Sequence, residues 1–269
     1  MSSSTLAAAE AAEVRRMRRR GTLALAEREV MRVVRLWRQT VVPPVLVAVL
    51  FIVVFGVALG DQIRVVEGLE YTVFIVPGLV LMGVATSAFA NNATSIYQAR
   101  NEGFIEDPAS SPMEPRHLLI GYLAGGAVRG VLIGVATLAV ARIVVDYPME
   151  RPLILASVLL MVAVGFAALG TIVGLMARSW ESQNVVGTLV LQPLVFLGGV
   201  FYSVESLAEP WRTVSQANPI YHMVAAARTG LIGGAEVAPA LPLGLTALLA
   251  AALLTGAWWC FRRGVGIRT

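Results

Sequence analysis

Long apolar runs alternate with short polar stretches along this chain. Residues 41–60, 71–99, 152–177, 182–204 and 237–261 contain no Asp, Glu, Lys or Arg, and 117–141 is interrupted only by Arg129. A helix that crosses a bilayer needs about 20 apolar residues. The pattern predicts an all-α integral membrane protein with six transmembrane helices, at about 41–60, 71–93, 117–141, 153–177, 184–202 and 238–261. Together these make a transmembrane domain over 39–262, with a short tail at 263–269.

Two segments outside the spans have patterns of their own. Leu23, Ala26, Val30, Val33, Val34 and Trp37 recur at helical spacing, and Arg28, Arg32 and Arg35 fall opposite. That predicts an amphipathic interfacial helix over 22–38, behind a basic tail over 1–21, suited to lipid headgroups. Pro43-Pro44 marks the turn into the membrane, since proline fits the first turn of a helix. Between the last two spans, Thr213–Ala227 is uncharged but too short to cross. Asn218-Pro219 divides it, because a residue before proline avoids the α region. A re-entrant hairpin of two short helices within 203–234 follows. Irregular backbone at membrane depth must be buried in protein or line a wet cavity, so the hairpin is expected to cap something.

Composition agrees: 57% of residues are hydrophobic, only 14% are charged, and mean hydropathy is +0.74. Soluble domains carry about 25% charged residues. All 21 basic residues are arginine. A phosphate-binding loop ending in Gly-Lys-Ser/Thr is therefore impossible, and any ATP hydrolysis belongs to another chain. The single cysteine, Cys260, excludes an intrachain disulfide and a cysteine metal cluster. His117 and His222 have no metal-ligand partner at usable spacing, and no span contains Asp or Glu. Neither a catalytic group nor a resident metal or cofactor is expected, and no nucleic-acid partner.

Arginine placement orients the chain. Basic residues gather on cytoplasmic flanks. With both ends inside, fifteen arginines fall in cytoplasmic segments and five in external ones. The segment 94–116 is then cytoplasmic. Its core, "NEGFIEDPASSPMEPRHL", packs four carboxylates and three prolines between two greasy spans. Arg129 is the one charge within a span, costly by ~2.5–3.5 kcal/mol at a helix centre. Two readings stay open for it: a contact to substrate or lipid headgroup, or a structural arginine that snorkels or bonds carbonyls. Gly121, Gly125, Gly126, Gly130 and Gly134 permit close helix approach.

Three features resemble the permease subunits of bacterial ABC-2 type transporters, in the branch of small single-domain exporters. "EGFIEDPASSP" is similar to that family's Glu-Gly-apolar-Glu, then Ser/Thr-Pro pattern. "LQPLVFLGGVFYSVESLAEPWRTVSQANPIYHMVAAARTGLIG" resembles its apolar-Gly-Val-Phe, Pro-Trp, Asn-Pro and Arg signature. The third is the frame of amphipathic helix, six spans and short basic tail. The chain departs from the family in having Pro108-Ala109 where Leu-Leu is usual.

The resemblance implies a dimer of permeases, each bound to a separate ABC ATPase that holds ATP and Mg. It implies a coupling segment docked on that ATPase, with Glu102, Gly103, Phe104, Ile105, Glu106, Asp107, Ser111 and Pro112 as its residues. Spans two and five would line the path, making Phe89, Asn91, Asn92, Gln192, Phe196 and Phe201 candidates, with Arg129. Asn218, Pro219 and Tyr221 would form an outer gate. The location would be the bacterial inner membrane and the substrate hydrophobic or amphipathic: a drug, lipid or glycolipid. The rivals are a passive channel or a secondary carrier, which would need an intramembrane ion site, and a scaffold without transport.

Overall fold

The computed structural model describes residues 3–58, 65–104, 113–233 and 240–266. It is helical apart from one two-stranded hairpin, β1 (Val65–Val66) and β2 (Leu69–Glu70), paired antiparallel. In chain order the helices are α1 (Ser3–Arg35), α2 (Trp37–Thr40), α3 (Val42–Phe51), α4 (Tyr71–Asn101), α5 (Pro115–Val144) and α6 (Pro152–Met176). Then come α7 (Trp180–Val185), α8 (Gln192–Leu197), α9 (Trp211–Ala217), α10 (Pro219–Leu231) and α11 (Ala240–Arg263). A π-helical stretch, Ile52–Ala58, prolongs α3, and another, Val186–Leu191, joins α7 to α8.

Among the described residues, five helices are long and apolar enough to cross a membrane: Trp37–Phe55, Tyr71–Asn101, Pro115–Val144, Pro152–Met176 and Ala240–Arg263. The sixth expected span, 184–202, is not among them. Its helical path runs from α7 through α8, but Glu181, Ser182, Gln183, Asn184 and Gln192 dilute its apolar character. It also stops at Leu197, before Gly199 turns the chain at φ 71°.

α4 is the axis of the bundle. Its residues from Tyr71 to Ala99 are buried on nearly every side, with Phe74, Ile75, Leu79 and Ile96 fully enclosed. Glycines let the neighbours approach. A Cβ on Gly170 would overlap the Phe89 carbonyl, so α4 and α6 touch backbone to backbone. Asn92 Nδ2 donates to Thr171 Oγ1 at 3.0 Å across that contact. The α5 glycines divide their work. Gly126, Gly130 and Gly134 face α4 and α6, through Asn92, Ala167, Ala163 and Leu159 among others, while Gly121 and Gly125 admit α1 against Leu25 and Glu29.

α1 departs from the expected boundaries. It is one helix from Ser3, so the basic tail and the amphipathic segment form a single element. Its first half is rich in Ala, Glu and Arg, all strong helix formers, and contains no proline. It runs alongside α5 in the same direction: Gly21 meets Met113, Leu25 meets Gly121 and Glu29 meets Gly125. The face against the bundle is Leu25, Glu29 and Val33, spaced by four. Leu23, Val34 and Trp37 stay exposed beside it.

Candidate functional site

A cavity of ≈ 530 Å³ lies between α3, α4 and the helical path from α7 to α8. Pro43, Pro44, Val47 and Phe51 form one wall. Met82, Thr86, Phe89, Ala93 and Thr94 form the second, spaced as one face of α4. Gln183, Asn184, Thr188, Leu191, Gln192 and Phe196 form the third. Hydroxyls and amides are thus interleaved with aromatic and aliphatic groups, as suits an amphipathic guest. Gln183 is 2% exposed, and neither its Nε2 nor its Oε1 has a hydrogen-bond partner. An amide buried without partners is costly, so a wall carrying one is made for a polar group or water. One end of the cavity closes on aromatics. Phe196 stacks on Phe201 with centroids 5.5 Å apart, and Phe201 meets Phe51 and Phe55 at 5.2 Å each.

Beside that aromatic end sits the α9–α10 hairpin. Asn218 ends α9 and caps α10: its Oδ1 accepts from Ile220 N at 3.0 Å, and its Nδ2 donates to Leu194 O at 2.6 Å. The side chain therefore ties the hairpin to α8. Pro219 takes the first position of α10, where its missing N–H costs nothing. Arg228, farther along α10, donates to Gly199 O at 2.7 Å and stacks over the Phe74 ring at 3.8 Å. Tyr221 lies partly buried beside His222, their rings 5.2 Å apart. Tyr71 donates its hydroxyl to Phe201 O at 2.9 Å, linking α4 to the same turn.

The family model for the ABC-2 type transporter matches residues 20–232, which takes in the cavity and the hairpin. The chain belongs to the ABC-2 type transporter family. Among its relatives is the inner membrane transport permease YadH of Escherichia coli (strain K12), 34% identical over 242 residues, covering 90% of this chain and 94% of that protein. Nodulation protein J of Rhizobium leguminosarum bv. trifolii is 28% identical over 183 residues, covering 66% and 68%. Nodulation protein J of Rhizobium meliloti (strain 1021) is 26% identical over 190 residues, covering 70% and 72%. The chain is a transport permease subunit, a multi-pass protein of the inner membrane, and not itself a catalyst.

Of the expected path residues in this ABC-2 permease, Phe89, Gln192 and Phe196 line the cavity, and Phe201 joins them through Phe196. Asn91 and Asn92 do not. They project from the other side of α4, where Asn91 Nδ2 donates to Asn92 Oδ1 at 3.3 Å and Gly125 and Gly126 close over them. At about 100° per residue, Asn91 is turned about 200° from Phe89 and faces away from the cavity, while Asn92, turned about 300°, lies on the flank of α4 that meets Thr171 and Gly126. Arg129 also stands away from the cavity, on the α5 face that meets α1.

That α1 junction holds a feature no spacing argument had found. Glu29 is 2% exposed. It accepts from Arg28 at 3.0 Å, from Arg32 at 2.9 Å and from Ser95 Oγ at 2.6 Å. A fourfold spacing of Leu25, Glu29 and Val33 was the available signal, hidden because Glu29 breaks the apolar pattern. Arg35 and Trp37 are exposed. Of the coupling residues, Glu102, Gly103 and Phe104 follow the end of α4 and are exposed, Gly103 with φ 78°. Ile105, Glu106, Asp107, Ser111 and Pro112 lie outside the described residues. Beyond them, Glu114 caps α5 in a reciprocal box with His117 and pairs with Arg18 and Arg116.

Proposed function

We propose that this permease is the membrane half of an ATP-driven exporter for a hydrophobic or amphipathic substrate. The observation that carries the reading is the cavity, whose aromatic and amide groups suit a guest with apolar and polar parts. Around it, Leu46, Val47 and Leu50 on α3 and Leu189, Val190 and Phe196 on the α7–α8 path are exposed. A second permease copy would cover that face, and the path from α7 to α8 would serve as the sixth span, facing its counterpart. Two ABC ATPase chains would supply hydrolysis with their own ATP and Mg, since this chain has no lysine for a phosphate loop. The segment 94–116 would dock on the ATPase, and the α9–α10 hairpin would close the outer end, with Asn218, Pro219 and Tyr221 at the gate. Both termini would be cytoplasmic, as the arginine bias favours.

The test is reconstitution of the permease with a co-purified ATPase in lipid vesicles. ATP-dependent movement of an amphipathic dye, reduced by Gln183→Leu with assembly intact, is the expected result. Dye movement of equal rate without ATP would establish a passive pore instead. Cysteine pairs at Leu189 should crosslink two copies; their failure to do so in every nucleotide state would remove the proposed dimer face.

A further inference from the structure

We propose that Arg129, together with Arg32 and Arg28, binds the phosphate of an anionic membrane phospholipid. Arg129 forms no hydrogen bond or ion pair among the described residues, and its Nε is buried without a partner. The Nε of Arg32 is buried and unpartnered as well. The charged neighbour that acts on Arg129 is Arg32, a like charge. Among the described residues Glu29 is the one carboxylate paired in this junction, and Arg28, Arg32 and Ser95 already occupy its oxygens. Arg28 and Arg32 share this carboxylate, and Arg129 feels Arg32 and not Glu29, so among the described residues of the junction two positive charges are uncompensated. A guanidinium presents five donors in a fork that fits phosphate oxygens two at a time. An anion is therefore what the junction is missing.

Depth and shape narrow the anion to a lipid. Leu25 pairs with Gly121 and Glu29 with Gly125, so one further turn puts Arg129 level with Val33, a turn before the first apolar helix begins at Trp37. The long arginine side chain can extend toward that end, so its guanidinium is within reach of the headgroup level on the α1 side. Beside Arg129 and onward toward Val144, α5 exposes Val128, Leu132 and Val135, a stripe at helical spacing. That stripe can carry an acyl chain while the arginines hold the headgroup. Basic pockets between helices at this level suit anionic headgroups. A free phosphate ion would bind the same fork but gain nothing from the stripe.

The inference needs only the membrane spans, not the exporter reading, so it is tested on the purified permease without any ATPase. Native mass spectrometry compares retention of phosphatidylglycerol and phosphatidylcholine. The wild-type protein should retain phosphatidylglycerol preferentially, and soluble glycerol phosphate should compete poorly. Arg129→Gln should lower phosphatidylglycerol retention about fivefold, and Arg129→Lys, which keeps the charge but loses the fork, should fall between. Arg142→Gln, at the far end of α5 where Arg142 pairs with Asp146 at 2.9 Å, should change nothing. Equal retention of the two lipids by the wild type overturns the site, as does an unchanged Arg129→Gln or an equal loss in Arg142→Gln. Competition by glycerol phosphate as strong as by the lipid would assign the fork to a free anion instead. If Arg129→Gln does not purify folded, the wild-type lipid comparison decides alone.

Discussion

Arg129 and Arg228 are both partly buried arginines on helices of the bundle, and neither forms an ion pair among the described residues. Arg228 Nε is buried without a partner, as Arg129 Nε is, but the rest of the Arg228 guanidinium is provided for. It donates to Gly199 O and lies over Phe74, so a carbonyl dipole and an aromatic face take the place of a carboxylate. Arg129 has neither, and the charge that acts on it, Arg32, repels it. A charge that is satisfied within the protein holds structure together. A charge left unsatisfied costs stability, and such a cost persists where an outside partner repays it.

The largest expected effect is on the satisfied arginine. Arg228→Leu removes the donor from Gly199 O and the cation from Phe74. Unfolding in detergent should become easier by about 2–3 kcal/mol, since a hydrogen bond to a charged group and a buried acceptor are lost together. A stability equal to wild type would mean that Arg228 is no tie. Somewhat smaller is the effect of Gly199→Ala. Gly199 has φ 71°, and a Cβ there would sit 2.8 Å from Val204 Cγ2, so the cost should be about 1–2 kcal/mol. Combined with Arg228→Leu it should add less than the sum, because both act on one turn; strict additivity would separate the two.

On the other side of the comparison, Glu29→Gln replaces an acceptor-only group that serves three donors with one carrying its own N–H groups. A loss of about 1–2 kcal/mol is expected, together with tighter retention of anionic lipid because the junction gains positive charge. Weaker lipid retention with full stability would argue that Glu29 itself shapes the anion site. The smallest stability effect should come from Arg129→Gln, within about 0.5 kcal/mol of wild type in lipid-free detergent, since no partner is lost. A loss as large as that of Arg228→Leu would show that Arg129 is held by the protein after all.

Much of this molecule is legible from residue order. The spans at 41–60, 71–93, 117–141, 153–177 and 238–261 are found as long apolar helices, because partition from water to lipid depends on a contiguous stretch. The break at Asn218-Pro219 is equally local: one backbone restriction and one missing donor end α9 and start α10. The helix before the first span is legible in existence but not in length or mounting. Periodicity identified its lipid-like residues, Leu23, Val34 and Trp37, and overlooked the face that docks, because that face contains a glutamate.

Side-chain destinations around α4 were out of reach of such reasoning. Phe89 and Asn91 are two residues apart, yet one lines the cavity and the other faces α1 and α5, since each residue advances a helix by about 100°. Which side is the cavity depends on where α3 and the α7–α8 path lie, and that is a matter of packing between distant segments. Gln183 shows the same limit. Nothing near it in the chain distinguishes it from Asn184 or Gln192, and only its burial without a partner marks it.

The sequence by itself determined the membrane class, five of the spans, the absence of a phosphate loop and the family, each a property of composition or of neighbours in the chain. Tertiary structure decided which α5 glycines receive α1 and which receive α4 and α6, why Glu29 can be buried, and why Arg228 is answered while Arg129 is not. The physical reason is that a charge within a bilayer is stabilised or stranded by atoms within a few ångströms, and here those atoms belong to helices tens of residues away in the chain.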